Sequence, residues 1–206
     1  MPVQAPVAPA SDARSKTSLA YLFGQPASAT RQEVAVAADP ATVFEAIREA
    51  DLGDARLVRA AVALRTIPDR ILRRLRSTPP APPPQRTIGG LIESGWWLVI
   101  ADDPPERLTL GVVIWDRRVA QGGQRREYFD RPANGAVRVG WELRVEPGPG
   151  SGSTLVTETR TEPIGPRGKR RFRAYWTVIS PFAAATRRLV INHIGREAET
   201  RVRLRT

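Results

Sequence analysis

The stretch GKRRFRAYWTVISPFAAATRRLVINHIGREAETRVR, residues 168–203, decides the fold of this chain. Its apolar residues recur at i, i+3, i+4 and i+7, which fits the 3.6-residue period of an α-helix and not the two-residue period of a strand. The stripe consists of Phe172, Tyr175, Trp176, Ile179, Phe182, Ala183, Thr186, Val190 and Ile194. Ser180 and Pro181 resemble an N-cap and a first-turn proline, which predicts a kink there or a short helix passing into a longer one. A helix with one apolar stripe needs a sheet to cover.

Seven segments outside this helix carry strand signals. The predicted strands are residues 31–37, 87–93, 96–101, 107–115, 125–130, 136–146 and 154–162. Turn sequences rich in Pro, Gly, Asp and Asn separate the last six, and these connections are too short for crossover helices. The pattern therefore predicts a seven-stranded antiparallel sheet with one apolar face and one polar face, on which Glu142, Glu158 and Arg160 form cross-strand pairs.

Two short helices are predicted after the first strand. Asp39 and Pro40 give a clear helix start, an N-cap followed by proline at the first helical position. The second helical stretch runs from Leu57 to Leu64 and restarts at Pro68. The proline-rich loop at residues 79–84 is a stiff, polyproline-like connection, and the sequence does not determine whether it gates a cavity.

The two ends of the chain differ in composition. Residues 1–29 are rich in Pro, Ala and Ser and predict a flexible N-terminal arm, in which residues 18–23 are apolar enough to dock locally. Residues 30–206 have the length of a single domain with a full core. The order strand, two helices, six strands and long helix belongs to the α+β class.

Composition excludes several kinds of site. The chain of 206 residues has no Cys and one His, His193, so disulfides, thiol chemistry and a His- or Cys-rich metal site are not expected. We find no phosphate-binding loop, nucleophile elbow or paired carboxylates, and we expect neither a metal nor a cofactor. No apolar run has the length of a membrane span and no secretory signal precedes the domain, so the expected location is the cytoplasm.

Positive charge is concentrated near the C-terminus. The formal net charge is +11, and residues 165–206 carry eleven basic and two acidic residues, which leaves +2 for the rest of the chain. Such a segment is either a solvated helix face or a contact for an anionic partner. A peripheral contact with an anionic membrane is possible on this pattern. Nucleic acid is not expected, because the aromatic residues occupy the apolar stripe and do not alternate with the arginines.

The order of elements and several short motifs resemble the START/SRPBCC superfamily, which has the helix-grip or Bet v 1-like fold. The similarity is greatest to its polyketide cyclase/dehydrase and lipid-transport-like branch, and it covers about residues 31–202. The residues that carry it are 36–44 (VAADPATVF), 57–65 with Pro68, 157–160 (TETR), 172–176 (FRAYW), 179–182 (ISPF) and Arg187-Arg188. The resemblance implies a curved sheet that wraps the C-terminal helix and leaves a cavity between sheet and helix.

Candidate cavity-lining residues follow from the apolar faces and this resemblance. They are Arg65, Trp97, Trp115, Tyr128, Trp141, Thr157, Thr159, Tyr175, Trp176, Ile179, Phe182 and His193. The alternative for the aromatic residues is that they fill the core and leave no void. The threonines are also common in strands for local reasons, His193 is either an acid–base group or a structural residue, and Arg65 either holds an anion or forms a structural ion pair. A one-residue slip exchanges the faces of Trp97 and Trp115.

Three functions remain open on the sequence. The leading hypothesis is binding of a hydrophobic small molecule, such as a lipid, quinone or polyketide-like compound, for transport, sensing or sequestration. The second is a cyclase/dehydrase-type enzyme that uses the same cavity, with Arg65, Tyr128, Thr157, Tyr175 and His193 as the polar candidates. The third is an interaction protein that uses the basic C-terminal helix against an anionic membrane or nucleic acid. The sequence does not determine the oligomeric state.

Overall fold

The computed structural model describes residues 17–52 and 85–205, apart from the side chains of Ala120, Val178, Pro181 and Phe182. The helices in these residues are α1 (Leu19–Phe23), α2 (Pro40–Glu49), α3 (Ile88–Glu93), α4 (Arg117–Gly122), α5 (Arg126–Asp130) and α6 (Gly165–Arg205). The strands are β1 (Ser28–Val36), β2 (Leu98–Asp103), β3 (Arg107–Ile114), β4 (Val137–Pro147) and β5 (Ser153–Pro163). The predicted α+β class, with a C-terminal helix, is confirmed.

The strands form one open antiparallel sheet in the order β1-β5-β4-β3-β2. β4 lies at the centre, and the first strand pairs with the last one, with Ser28 opposite Thr161. The described residues contain five strands, so the prediction of seven is wrong. Two of the predicted strands, at 87–93 and 125–130, are the short helices α3 and α5.

Local hydrogen bonds explain why these two segments are helical. The Thr87 hydroxyl accepts a hydrogen bond from the backbone N–H of Gly90 at 2.9 Å, which is the usual N-cap of a helix. In α5, Arg126 pairs with Asp130 one turn later at 3.0 Å. Alternation over six or seven residues is too short a signal to outweigh these contacts.

The inner face of the sheet packs against α2 and α6. We define the inner face as the side that carries Leu110 of β3, Leu143 of β4 and Leu155 of β5, all fully buried. Val43 and Ile47 of α2 fill the same core, and Asp39 caps α2 as predicted, accepting a hydrogen bond from the Thr42 N–H at 3.0 Å. This core lies towards the Val145 end of β4.

Helix α6 follows β1 and β5 along the inner face, and its predicted stripe faces the protein interior. Besides Gly168 and Gly195, the buried residues described in the helix are Phe172, Ile179, Ala183, Thr186, Val190, Ile191, Ile194 and Ala198. The helix is continuous from Gly165 to Arg205, so the predicted division into two helices does not occur. Pro181 removes one helical hydrogen bond, but the burial of Ile179 and Ala183 on either side of it holds both halves on the same sheet.

A second core covers the opposite, outer face of the sheet. Gly111 of β3 and Gly140 of β4 lie directly opposite each other there. A Cβ at Gly140 would come within 2.5 Å of Leu19 and Phe23 of α1, and a Cβ at Gly111 within 2.6 Å of Phe129 of α5. The two glycines therefore form a flat floor on which both helices rest. The predicted local docking of residues 18–23 is this contact of α1.

Several predictions fall outside the described residues. They are the second helical stretch from Leu57 to Leu64, the restart at Pro68 and the loop at 79–84. Within the described ranges, no helix combines the length and apolar character needed to cross a bilayer.

Candidate functional site

The inner face is incompletely covered in the middle of the sheet. Val139 and Trp141 on the central strand remain partly exposed, and so do Ile114 of β3 and Thr159 of β5. Their register makes them neighbours: Trp141 faces Thr159, and Val139 precedes Trp141 on the same face. A central strand normally loses all solvent contact on the face that packs against a helix. We call Ile114, Val139, Trp141 and Thr159 the inner-face patch.

One end of the patch is bounded by an aromatic and polar cluster. The ring centroids of Trp97 and Trp141 lie 5.7 Å apart at a steep angle, and the Trp141 indole N–H donates a hydrogen bond to the Thr157 hydroxyl at 2.8 Å. Gln32 lies opposite Thr157 on β1, and its amide N–H donates to the Ala184 carbonyl of α6 at 3.1 Å. Its buried Oε1 accepts no hydrogen bond from the described residues. Polar groups thus border an apolar surface.

The other end of the patch is bounded by Trp115 and the first turns of α6. Trp115 directly follows β3 and has a φ of 62°, in the left-handed region that non-glycine residues rarely adopt. Its side chain is exposed, and its ring meets Tyr175 edge to face at 5.9 Å. Trp176, one residue further, stacks on Phe172 at 5.3 Å. A strained backbone that presents an aromatic ring is typical of functional sites.

Asp116 is the N-cap of α4 and fixes the turn between Trp115 and this helix. Its carboxylate is buried and accepts hydrogen bonds from the Arg118 guanidinium at 2.7 Å, from the Arg118 backbone N–H at 3.0 Å and from the Ala133 N–H at 3.1 Å. The bond from the Arg118 guanidinium lowers the pKa of Asp116 to about 2, although burial alone would raise it. Asp116 is therefore a charged structural anchor and not a proton donor at neutral pH.

The structure brings together several of the sequence-predicted site residues along this face. Trp97, Trp141, Thr157 and Thr159 meet at one end, and Trp115, Tyr175 and Trp176 lie at the other. Ile179 is fully buried, so it belongs to the core. Trp97 packs with the inner-face core and Trp115 with Tyr175 of α6, which resolves the facing that the sequence left open.

Other candidates lie elsewhere or outside the described residues. Tyr128 lies on α5, next to the outer-face core, with the Arg118 guanidinium 4.6 Å from the centre of its ring. His193 Nε2 is 3.0 Å from the Asp51 carbonyl oxygen; a carbonyl only accepts, so this nitrogen carries the proton and the residue ties α6 to the segment after α2. Arg65 and the side chain of Phe182 are outside the described set.

The sequence reasoning missed Gln32, Val139 and Ile114 as site residues. The signal for Gln32 was available, because it alternates with Val34 and Val36 and therefore shares their inner face. For Val139 and Ile114 the sequence carries no comparable signal. Their partial exposure depends on how far α2 and α6 extend over the sheet, which alternation does not encode.

The described residues contain no group of three His, Cys, Asp or Glu side chains placed to hold a metal ion.

No known family model matches the chain, and no curated protein matches it. Among solved structures, the chain is similar to the crystal structure of TTHA0849 from Thermus thermophilus, with 10% identity, a TM-score of 0.31, and coverage of 83% of this chain and 97% of that one.

Proposed function

We propose that this protein binds a hydrophobic small molecule between the inner face of its sheet and α6. The observation that carries the proposal is the inner-face patch, an apolar surface in the middle of a sheet that the neighbouring helices leave partly exposed. Binding sites for small molecules are concave, mainly apolar and bordered by a few oriented polar groups. The proposal includes the helix-grip arrangement of the START/SRPBCC superfamily, in which such a space lies between sheet and helix.

The chemistry of the surrounding residues narrows the ligand class. The rings of Trp97, Trp141 and Tyr175 offer flat, polarisable surface, which favours a lipid, quinone or polyketide-like compound. The buried Gln32 Oε1 is an acceptor near this surface, so a ligand with a hydroxyl or amide N–H suits it. Tyr128, Thr157 and His193 lie apart and have structural partners, so the described residues favour binding over acid–base catalysis.

A direct test of the proposal is a substitution that fills the inner-face patch with a larger side chain. The neutral, apolar dye N-phenylnaphthylamine is titrated into the wild type and into Val139→Trp, which places a large ring on the inner face of β4. We expect dye affinity to fall at least about tenfold, because the indole occupies the space that the ligand needs. Ala29→Trp is the matched control, since Ala29 is exposed on the outer face of β1.

Native mass spectrometry and organic extraction of the purified wild type then identify any bound lipophile. Circular dichroism verifies that both variants are folded. Equal dye affinity in the wild type and Val139→Trp, with both proteins folded, contradicts binding at the inner-face patch.

A further inference from the structure

The first turns of α6 form an unusually basic surface. Between Glu162 and Glu197 the chain has no acidic residue. Five cations occupy the start of the helix, and all five are exposed: Arg167, Lys169, Arg170, Arg171 and Arg173. We call these five residues the α6 basic cluster. An open groove of about 620 Å³ is lined by Pro166, Arg167, Arg170 and Arg173.

The cations of this cluster differ from other arginines of the protein in their partners. None of the five makes an ion pair with a carboxylate of the described residues, whereas Arg201 at the other end of α6 binds Glu49 at 2.7 Å. Arg144 and Arg160 likewise pair with Glu142 and Glu158 on the sheet, at 2.6 Å each. The positive charge of the α6 basic cluster is therefore not neutralised within the described protein. The amide N–H groups of the first helical turn add to the positive potential.

Aromatic residues lie beside this charge. Tyr175 lies one helical turn after Arg171, on the same side of α6, and its ring contacts the exposed Trp115 at 5.9 Å. Arg167 lies against Gly135, just before β4 begins, with side-chain carbons 3.5 Å from the position of a Cβ there. The α6 basic cluster is thus at the end of the sheet where Trp115, Tyr175 and Trp176 border the inner-face patch.

We propose that this end of the protein docks on an anionic lipid bilayer, with the α6 basic cluster on the headgroups and Trp115 and Tyr175 at the interface. Clusters of four to eight Lys or Arg residues on a helix bind anionic lipids, and Trp and Tyr favour the boundary between headgroups and acyl chains. The biological role of this docking rests on the proposed function, because a bilayer is a source of lipophilic ligands and the inner-face patch lies at the docking end. Vesicle binding itself is measured independently of any ligand.

The test is co-sedimentation of the full chain with phosphatidylcholine vesicles, with or without about 30 mol % phosphatidylglycerol. We expect binding to the anionic vesicles only, weakening between about 0.05 and 0.2 M salt. The variant Arg167→Gln/Arg170→Gln/Arg173→Gln is expected to bind about 100-fold more weakly, given the usual contribution of each basic residue at such a surface.

A matched control removes the same charge from the far end of the same helix. Arg196→Gln/Arg203→Gln/Arg205→Gln lies roughly 40 Å or more from Arg170 at 1.5 Å per residue and should bind within about threefold of the wild type. Equal losses of vesicle affinity in both triple variants would overturn the proposal, because binding would then depend on net charge and not on the α6 basic cluster. So would a wild type that ignores anionic vesicles, or one that binds RNA or duplex DNA more tightly through the same three arginines.

Two further measurements separate this proposal from the proposed function. The Arg167/Arg170/Arg173 variant should keep its affinity for N-phenylnaphthylamine, whereas Val139→Trp should lose dye binding and keep vesicle binding. Loss of both activities in the folded Val139→Trp variant contradicts docking through the α6 basic cluster alone. Absence of dye binding in every protein, with vesicle binding intact, removes the proposed function and leaves the membrane surface standing.

Discussion

Single buried side chains set the geometry around Trp115. The left-handed backbone of a tryptophan costs about 1–2 kcal/mol, so nearby contacts must hold it. Asp116 accepts four hydrogen bonds there, three from Arg118 and one from the Ala133 N–H. The position of the Trp115 ring at the border of the inner-face patch thus depends on the Asp116 carboxylate and its hydrogen bonds.

The charge of Asp116 makes this anchor dependent on pH. Its pKa is about 2 in the folded protein and near 3.8 in the unfolded chain, so its carboxylate stabilises the fold above about pH 4, and this contribution is lost as the pH falls through about 2. We predict that Asp116→Asn lowers the free energy of unfolding by about 2 kcal/mol at neutral pH, and that about half of this gap closes by about pH 3. Urea denaturation of both proteins across this range measures it.

Asp130→Asn is the control for this prediction. Asp130 pairs with Arg126 on the surface of α5, and exposed pairs contribute about 0–1 kcal/mol. A stability gap for Asp116→Asn that is the same at acidic and neutral pH would show that packing, and not charge, is what Asp116 contributes.

Among the secondary-structure elements, the five-residue helix α1 depends most on its surroundings. A helix of this length has no stability of its own in water. It is held by Leu19 and Phe23 on the glycine floor and by Arg138, whose guanidinium lies 4.8 Å from the Phe23 ring centre and donates to the Leu22 carbonyl at 2.8 Å. Arg138 also contacts the ring of Phe129, so one side chain joins α1 and α5.

We predict that Phe23→Ala lowers the free energy of unfolding by about 3 kcal/mol, because it leaves a cavity over Gly140 and removes the cation–π contact. Tyr21→Ala, on the exposed side of the same helix, should change it by less than about 0.5 kcal/mol. Chemical denaturation measures both. Equal effects of the two substitutions on the free energy of unfolding would mean that the contacts of Phe23 with Gly140 and Arg138 do not stabilise the protein.

The elements also show what sequence patterns encode. The stripe of α6 and the alternation of β4 and β5 were predictable, since eleven residues or more repeat their period several times. The segments 87–93 and 125–130 were not, because six or seven residues fit both periods. Their structure is decided by the Thr87 cap and by the Phe129 side chain over Gly111. The aromatic composition of the site was visible in advance. Its shape was not, since it depends on where helices stop covering the sheet.

Taken together, the described residues form two cores that share one sheet. The inner core is covered by α2 and α6 and the outer core by α1 and α5. The tryptophans Trp97, Trp141 and Trp176 all lie on the inner side, so their fluorescence reports mainly on that core. Because β3 and β4 contribute side chains to both cores, we expect the two cores to unfold together.

This arrangement predicts a single cooperative transition. Phe129→Ala, a change on the outer face, should shift the urea midpoint of tryptophan fluorescence and of far-ultraviolet circular dichroism by the same amount. Leu143→Ala, on the inner face, should do the same and serves as the reference. If the fluorescence transition of Phe129→Ala kept the wild-type urea midpoint, the two cores would unfold separately.

The pairing of β1 with β5 has a consequence for the synthesis of this protein. Ser28 leaves the ribosome more than a hundred residues before its partner Thr161, which is on the order of 10 s at usual translation rates. During that interval β1 has no strand to join, and α6, which covers it, is translated after β5. The nascent chain must therefore keep an unpaired strand from associating with other chains until β5 has been synthesised, and charged side chains such as Arg31 and Glu33 on β1 oppose such association.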